Sequence, residues 1–520
     1  MKTPIPRNFA ALAGLLAGAL AVTVGMFVAA LTEVVSPIDA VGSEVIDRAP
    51  LWLKEKAIEW FGTDDKLALR IGIVGILALV AIRVGLLAAH RLWWGVAGIA
   101  LFGVIGSLAA VNRPGETVGA AVPSILGAAA GALVLYLMMQ PRPAHDETSS
   151  DVAPGWDRRR FLVTSGASAA GAVVAGGMAR AIEDRRVEQI RESIRVPLPD
   201  LVPAATQGIP PDTLVPAATQ EIPPDAELFD DTAFITPNAA FYRIDTALTF
   251  PNVRIDSWSF EIKGMVDTPL KFTYADLLAM PQVERVITLC CVSNEVGGNL
   301  IGNAVFRGVL LRDLLDKAGV QPGAEQVYST SLDGWTSGFP VEVAFDGRDA
   351  MVAIGMNGET LPLEHGYPAR LVVPGLYGYV GATKWLAEIK VTSWDEEGYW
   401  VPRGWSALGP VKTQSRIDVP RTRKVKAGKQ VIAGVAWAQH RGIEQVEVQV
   451  GDGPWQIATL ATDVSIDAWR QWLLEWEPKP GEYTLRVRAT DRTGETQTDE
   501  ETDVAPDGAT GYHTLRVAVE

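Results

Sequence analysis

The chain has 520 residues, is 48% hydrophobic and 21% charged, and carries a formal net charge of −15. That length suits about three or four domains, and the acidic balance excludes nucleic acid as a partner, since such partners select a basic face. Nearly all long apolar runs precede residue 180, and the remainder has the mixed Gly, Trp, Asp and Glu content of a globular protein.

Four stretches, 9–31, 67–89, 92–111 and 118–139, are apolar over the ~20 residues that cross a bilayer as a helix. Arg70 lies near the end of the second and can snorkel, whereas Arg83 is deeper and must face protein, water or an interface. Residues 49–61 read as an amphipathic helix lying along the membrane surface. Lys2 and Arg7, then His90 and Arg91, then Arg158 to Arg160 all fall on one side, which the positive-inside tendency makes cytoplasmic. The run DRRRFLVTSGASAAGAVVAGGMA, 157–179, resembles a twin-arginine export signal placed internally, with an ordinary fifth transmembrane helix as the alternative. Both put the rest of the chain outside the cytoplasm.

Residues 180–195 form a charged, helical segment. A Pro-rich linker contains LVPAATQGIPPD from Leu201 and LVPAATQEIPPD from Leu214, too few copies for a solenoid, and reads as an extended spacer. The expected division is 1–150, a membrane domain with four transmembrane helices; 151–185, the fifth segment; 186–232, the linker; 233–410, a catalytic domain; and 411–520, a β-sandwich.

From Thr236 onward, short β-like runs such as WSFEIKGMV and RLVVPG alternate with helical ones such as YADLLAM and RGVLLRDLLDKAG, an α+β pattern. The only two cysteines, Cys290 and Cys291, are adjacent. Neighbouring Cα atoms lie ~3.8 Å apart, below the roughly 4.4–6.8 Å of ordinary disulfides, so a thiolate is available for other chemistry. Four runs carry the remaining candidates: TPNAAFYRID, TLCCVSNEVGGN, MNGETLPLEHGYPARLVVPG and GYVGATKW. They combine one soft donor with Arg243, His365, Arg370 and Lys384, a set suited to a phosphate-bearing ligand beside a metal. No second Cys–His pair completes a zinc or iron–sulfur site, so a metal at Cys291 takes most of its other ligands from a cofactor.

On these runs, residues 233–520 resemble the sulfite oxidase family of molybdopterin enzymes, in a membrane-anchored bacterial type. The family's Leu-x-Cys-x-x-Asn setting matches Leu289 to Asn294, which implies Cys291 as molybdenum ligand and Cys290 as a packing neighbour. The resemblance implies that Asn238, Tyr242, Arg243, Ser331, His365, Arg370, Ala382, Thr383 and Lys384 hold a molybdenum–molybdopterin cofactor, in mononucleotide or dinucleotide form. Cys291 and Arg243 are then the catalytic residues, and the reaction is two-electron oxygen-atom transfer on a small substrate. Sulfite oxidases carry an arginine shortly after the loop asparagine, where this chain has Glu295, Val296, Gly297 and Gly298; Trp335 stands at the expected active-site tyrosine position. A sulfoxide or N-oxide is therefore at least as good a candidate as a sulfite-like oxyanion.

From Lys412 the runs GVAW, RGIEQVEVQVGDG, RATDRTG and GATGYH resemble the family's immunoglobulin-like domain, a β-sandwich of ~100 residues that implies a homodimer. The overall fold class is thus an α-helical transmembrane bundle, an α+β molybdopterin domain and an immunoglobulin-like β-sandwich. Electrons must pass to a separate electron-transfer protein or a quinone, because no CxxCH haem site exists. Membrane lipid is the remaining partner. The competing interpretation is a cofactor-free cell-surface binding or adhesion protein on the same fold.

Overall fold

The computed structural model describes residues 5–50, 65–113, 116–140, 158–194, 219–251 and 253–520, with Leu53, Lys56, Trp60 and Leu198 described singly. Most of the expected surface helix at 49–61 and most of the Pro-rich repeat lie outside these residues. The chain forms two compact units, one of Met1–Ile190 with Thr246–Asn252 and one of Arg191–Asp245 with Val253–Glu520.

The first unit is helical: α1 (Arg7–Thr32), α2 (Pro37–Arg48), α3 (Asp65–His90), α4 (Leu92–Val111), α5 (Val122–Met139) and α6 (Arg158–Ile194). Among the described residues, five helices are long and apolar enough to cross a membrane. The apolar run at 157–179 and the charged segment after it are one helix, α6, because MARAIEDRRVEQ contains neither Pro nor Gly to stop it. Small residues set the packing. A Cβ at Gly14 would lie 2.1 Å from Ala81 O, and one at Gly85 would lie 2.1 Å from Ala10 O, so α1 and α3 touch backbone to backbone. The outward face of α3 is apolar, with Ile71, Ile76 and Leu79 exposed. Arg70 does not stand alone at its helix end: its Nη2 donates to Asp39 Oδ1 (3.0 Å) and to Leu248 O (2.9 Å).

Among its described residues the second unit holds four sheets. β1 (Ser259–Gly264), β2 (Leu270–Thr273), β5 (Gln326–Ser331), β6 (Thr336–Pro340) and β10 (Leu386–Thr392) form one sheet in the order β2-β1-β10-β5-β6, with β1 and β10 parallel. β3 (Val283–Cys290), β4 (Ile301–Leu310), β7 (Met351–Met356) and β8 (Glu359–Thr360) pair in sequence order, and β9 (Arg370–Val372) joins β7. Ile287, Leu289, Phe306, Met351 and Val372 fill the core beneath this second sheet.

Two short helices punctuate the sheets. α7 (Tyr274–Ala279) begins at a reciprocal Thr273–Asp276 cap. α8 (Leu311–Ala318) buries Leu311, Leu314, Leu315 and Ala318 at helical spacing. The run RGVLLRDLLDKAG is helical only from Leu311. Its first part belongs to β4, where a Cβ on Gly308 would lie 2.2 Å from Val352 O. A third helix, α9 (Gly378–Gly381), is a single turn.

The C-terminal strands are β11 (Gln414–Val419), β12 (Lys424–Val425), β13 (Gln430–Trp437), β14 (Ile443–Val450), β15 (Trp455–Ile457), β16 (Thr459–Leu460), β17 (Arg470–Trp476), β18 (Gly481–Asp491) and β19 (His513–Val519). They make a four-stranded sheet, β11-β13-β17-β16, and a five-stranded sheet, β12-β19-β18-β14-β15, around one core that includes Ile432, Val446, Trp472 and Val487. Thr288 on β3 is tied to this region: its N–H donates to Asp467 O (2.9 Å), its hydroxyl accepts from Trp469 N (2.7 Å) and its carbonyl accepts from Gln439 Nε2 (3.1 Å). The strand that ends at the cysteines is thereby anchored from both sides.

Candidate active site

β3 is covered on both faces and ends at Cys290 because the following residues leave the ladder in turns. Asn294 N donates to Cys291 O (3.0 Å) and Gly298 N to Glu295 O (2.8 Å). Both thiols are buried and free. Their settings differ. Burial raises the pKa of Cys291, opposed by hydrogen bonds from the Ser293 backbone and hydroxyl, whereas burial and then the charge of Cys291 push Cys290 well above the thiol range. Glu295, which follows the loop asparagine, is exposed, so its carboxylate faces solvent.

Asn294 is buried: its Oδ1 accepts from Leu300 N (2.8 Å), while its Nδ2 has no partner among the described residues. Such an unsatisfied donor costs roughly 1–3 kcal/mol. It fits a loop completed by a bound group rich in acceptors.

Three of the sequence-predicted runs meet at Gly378. A Cβ there would lie 3.8 Å from Cys290 O and 3.6 Å from the Tyr242 hydroxyl. Tyr242 is half-buried; burial first, then the charges of Cys291 and Cys290, hold its phenol well above its ordinary range, so it remains a neutral donor. Phe241 stacks on Tyr242 at 5.3 Å and meets His365 edge-on at 5.5 Å.

His365 closes a 3-10 turn with Nε2 2.8 Å from Asn238 O. A carbonyl only accepts, so Nε2 carries the proton. Burial, with Arg370 and Lys384 adding to it against the Asn238 hydrogen bond, takes the imidazole down to about 4. The ring is neutral at pH 7 and offers Nδ1 as an acceptor. Asn238 itself accepts at Oδ1 from Asn357 Nδ2 (2.8 Å), which ties it to the turn between β7 and β8.

Arg370 on β9 is buried; its Nη1 donates to His365 O (3.1 Å), its Nη2 to Ala382 O (3.3 Å), and the guanidinium lies over Phe306. Burial lowers it to about 10, which leaves it charged at neutral pH. Gly366, with φ +114°, lets these segments close: a Cβ there would lie 3.1 Å from both Arg370 Cβ and Lys384 Cα. Lys384 Nζ donates to Asp245 Oδ2 (2.7 Å), and Arg243 Nε reaches the same oxygen at 2.8 Å. Burial takes Lys384 down to about 8, with Asp245 opposing that fall.

Sequence reasoning missed Asp245. Its only signal is a carboxylate two positions after Arg243. Next to Gly378, Tyr379 lies 6.0 Å from the Trp405 ring, whose buried Nε1 has no acceptor among the described residues. Trp335 sits just before β6, its N–H donating to Asp333 Oδ1 (3.0 Å) and its carbonyl accepting from Ser331 N (2.8 Å). Ser331 is buried and pairs across the ladder with Leu386, beside the Lys384 segment. The Thr383 hydroxyl is enclosed by Ser329 Oγ (2.7 Å) and Ser337 Oγ (2.8 Å), so it is already used within the protein.

Among the described residues, no group of three or more His, Cys, Asp or Glu is placed to hold a metal. Cys291 supplies one soft donor, and a metal there would draw its other ligands from outside the chain. The buried cations, the neutral His365 and the orphaned Asn294 amide fit an anionic, acceptor-rich cofactor.

Residues 247–400 match the family described as "Oxidoreductase molybdopterin binding domain". Mitochondrial sulfite oxidase of Macaca fascicularis is 29% identical over 302 residues, covering 49% of this chain and 55% of its own length. The protein named "Uncharacterized oxidoreductase YuiH" of Bacillus subtilis (strain 168) is 34% identical over 152 residues, covering 29% of this chain and 74% of that protein. Among solved structures, the sulfane dehydrogenase SoxCD from Paracoccus pantotrophus aligns with a TM-score of 0.48 and 25% identity, over 62% of this chain and 93% of that one. The chain therefore spans little more than half the length of the sulfite oxidase it matches.

Proposed function

Since the chain belongs to the sulfite oxidase family of molybdenum- and molybdopterin-dependent oxidoreductases, we propose that it is a membrane-anchored enzyme working outside the cytoplasm by two-electron oxygen-atom transfer on a small substrate. The observation that carries this is the meeting of three segments at Gly378, which brings Cys290 and the Tyr242 hydroxyl to one place. When bound, the molybdenum centre supplies the two-electron redox change that accompanies oxygen-atom transfer.

The chain's own residues do the rest. Cys291 donates a thiolate to the metal. Arg370 and Lys384 offer charge to the pterin and its phosphate, His365 offers Nδ1 as an acceptor, and Asn238, Ser331 and Ala382 complete the cradle, while Thr383 braces it through its hydroxyl contacts with Ser329 and Ser337. Tyr242 presents a neutral hydroxyl, and Arg243 draws in an oxygen-bearing substrate, either a sulfite-like oxyanion or a sulfoxide or N-oxide.

Five apolar helices support the anchoring, and the clustering of basic residues at 7, 90–91 and 158–160 supports the sidedness. Electrons pass to a separate protein or a quinone, and the C-terminal region is an immunoglobulin-like sandwich that pairs two copies.

Metal analysis after cofactor-competent expression tests this proposal. About one molybdenum per chain, with turnover of sulfite and a dye acceptor or of a sulfoxide and a dye donor, is the expected result. Absence of molybdenum, or turnover that survives Cys291→Ser, rejects it.

A further inference from the structure

We propose that the C-terminal sandwich shapes the loop that carries Cys291, with Arg416 and His513 as positioning residues; this rests on Cys291 being the metal ligand. The two come from strands of different sheets, β11 and β19, and grip successive residues of the loop.

Arg416 Nη1 donates to Gly298 O (2.8 Å), while its Nε and Nη2 hold Asp418 at 2.6 and 3.2 Å. Asp418 in turn accepts from the Thr232 hydroxyl (2.9 Å). The guanidinium side chain is only 12% exposed. With both ends of a planar fork engaged, it holds the Gly298 carbonyl in one place.

His513 acts one residue earlier. Ile417 N–H donates to its Nδ1 (2.9 Å), which orients the ring and leaves the proton of the neutral imidazole on Nε2. Gly297 lies against the ring. A Cβ there would fall 2.3 Å from His513 Cδ2 and 2.5 Å from Nε2, and its φ of +77° disfavours any other residue. At the near end of the loop, Asn294 Oδ1 holds Leu300 N (2.8 Å). The path from Cys291 to Leu300 is thus set by three side chains, two of them supplied by the sandwich. Neither Arg416 nor His513 needs to touch substrate or cofactor; they act through Gly297 and Gly298. A ligand-bearing loop must be held to within about 0.5 Å for its donor to be correctly aimed, which gives such supports their value.

The test uses the full-length protein in two forms. In protein from a host unable to make molybdopterin, Cys291 alkylation by iodoacetamide is followed by peptide mass spectrometry beside the melting temperature. Arg416→Met and Gly297→Ala are expected to speed labelling about tenfold beyond what any fall in melting temperature accounts for, through local opening of the loop. Arg416→Lys, which keeps a donor but not the fork, restores part of the protection. In loaded protein, the same variants shift the thiolate-to-metal absorption band and lower kcat more than they raise KM. Gly297→Ala is expected to speed labelling less in the His513→Ala background than in the wild type, because the clash with the ring is gone and only the strain at φ +77° remains. Unchanged labelling and an unchanged band, or labelling that follows global unfolding, overturn the proposal. If wild type shows no thiolate-to-metal band at all, the metal-ligand assignment fails instead, while the labelling arm still decides whether the sandwich holds the loop.

Discussion

Lys384 donates from Nζ to Asp245 Oδ2 over 2.7 Å, and both side chains are almost wholly enclosed. A cation proposed to hold phosphate is therefore already partnered by a buried carboxylate, and Asp245 keeps it charged. Asp245→Asn removes the counter-ion and leaves a buried ammonium, so the variant should lose about 3–5 kcal/mol at pH 7. The sign with pH follows from burial, which takes Lys384 down to about 8 against Asp245. The unfolded chain binds the extra proton above that value, so the lysine's contribution to stability rises from about pH 8 towards its unfolded value. In the variant this rise starts at lower pH. Urea denaturation at pH 7 and pH 9 should show the gap between variant and wild type narrowing, and a constant gap would count against the pairing.

His365 gives a second pH signature in the acidic range. Its folded value, about 4, lies below the 6.5 of an ordinary imidazole, mainly through burial. The unfolded state binds the extra proton between these values, so stability is full above about pH 6.5 and falls as pH drops through 4, by roughly 3 kcal/mol. His365→Gln should flatten this part of the curve. Melting temperatures of both proteins between pH 4 and 7 are the measurement, and parallel curves would show that His365 is not the responsible group.

Cys291, His365, Arg370 and Lys384 are legible in the sequence as candidates because each is chemically distinctive and sits in a run of recognisable order. Asp245 is not. It acquires its role only by burial against Lys384, 139 positions away, and neither fact has a local signature. The same limit hides the clamp on Gly297 and Gly298, whose partners lie more than a hundred residues downstream. In RGVLLRDLLDKAG, the apolar pair Leu310 and Leu311 fits a strand end as well as a helix start, and only the close approach of Gly308 to Val352 O assigns the first part to β4. Alternation along β14 and β18 is easier to read, since one face packs on the common core and the other meets water.

Thr383 separates a structural hydroxyl from a cofactor contact. Its Oγ1 is shared with Ser329 and Ser337 inside a buried cluster. Thr383→Val keeps the shape and removes the hydroxyl, so it should cost about 1–3 kcal/mol in unfolding free energy. Molybdenum per folded chain should stay at the wild-type level. A selective loss of molybdenum without loss of stability would instead place the hydroxyl on the cofactor.

In the helical unit, glycines on one helix should respond oppositely to the same substitution. Gly85 on α3 faces α1 so closely that a Cβ would lie 2.1 Å from Ala10 O, whereas one on Gly72 of the same helix would meet nothing within 4 Å. Backbone cannot yield as a flexible side chain does, so Gly85→Ala must push α1 and α3 apart, an overpacking cost of about 1–3 kcal/mol. At Gly72 the added methyl brings only the helix preference of alanine, a gain of roughly 0.5–1 kcal/mol. Thermal unfolding in detergent should therefore fall for the first variant and hold or rise for the second. Equal responses would mean that α1 and α3 do not pack through Gly14 and Gly85, and the small-residue contact would then have to be sought on another pair of helices.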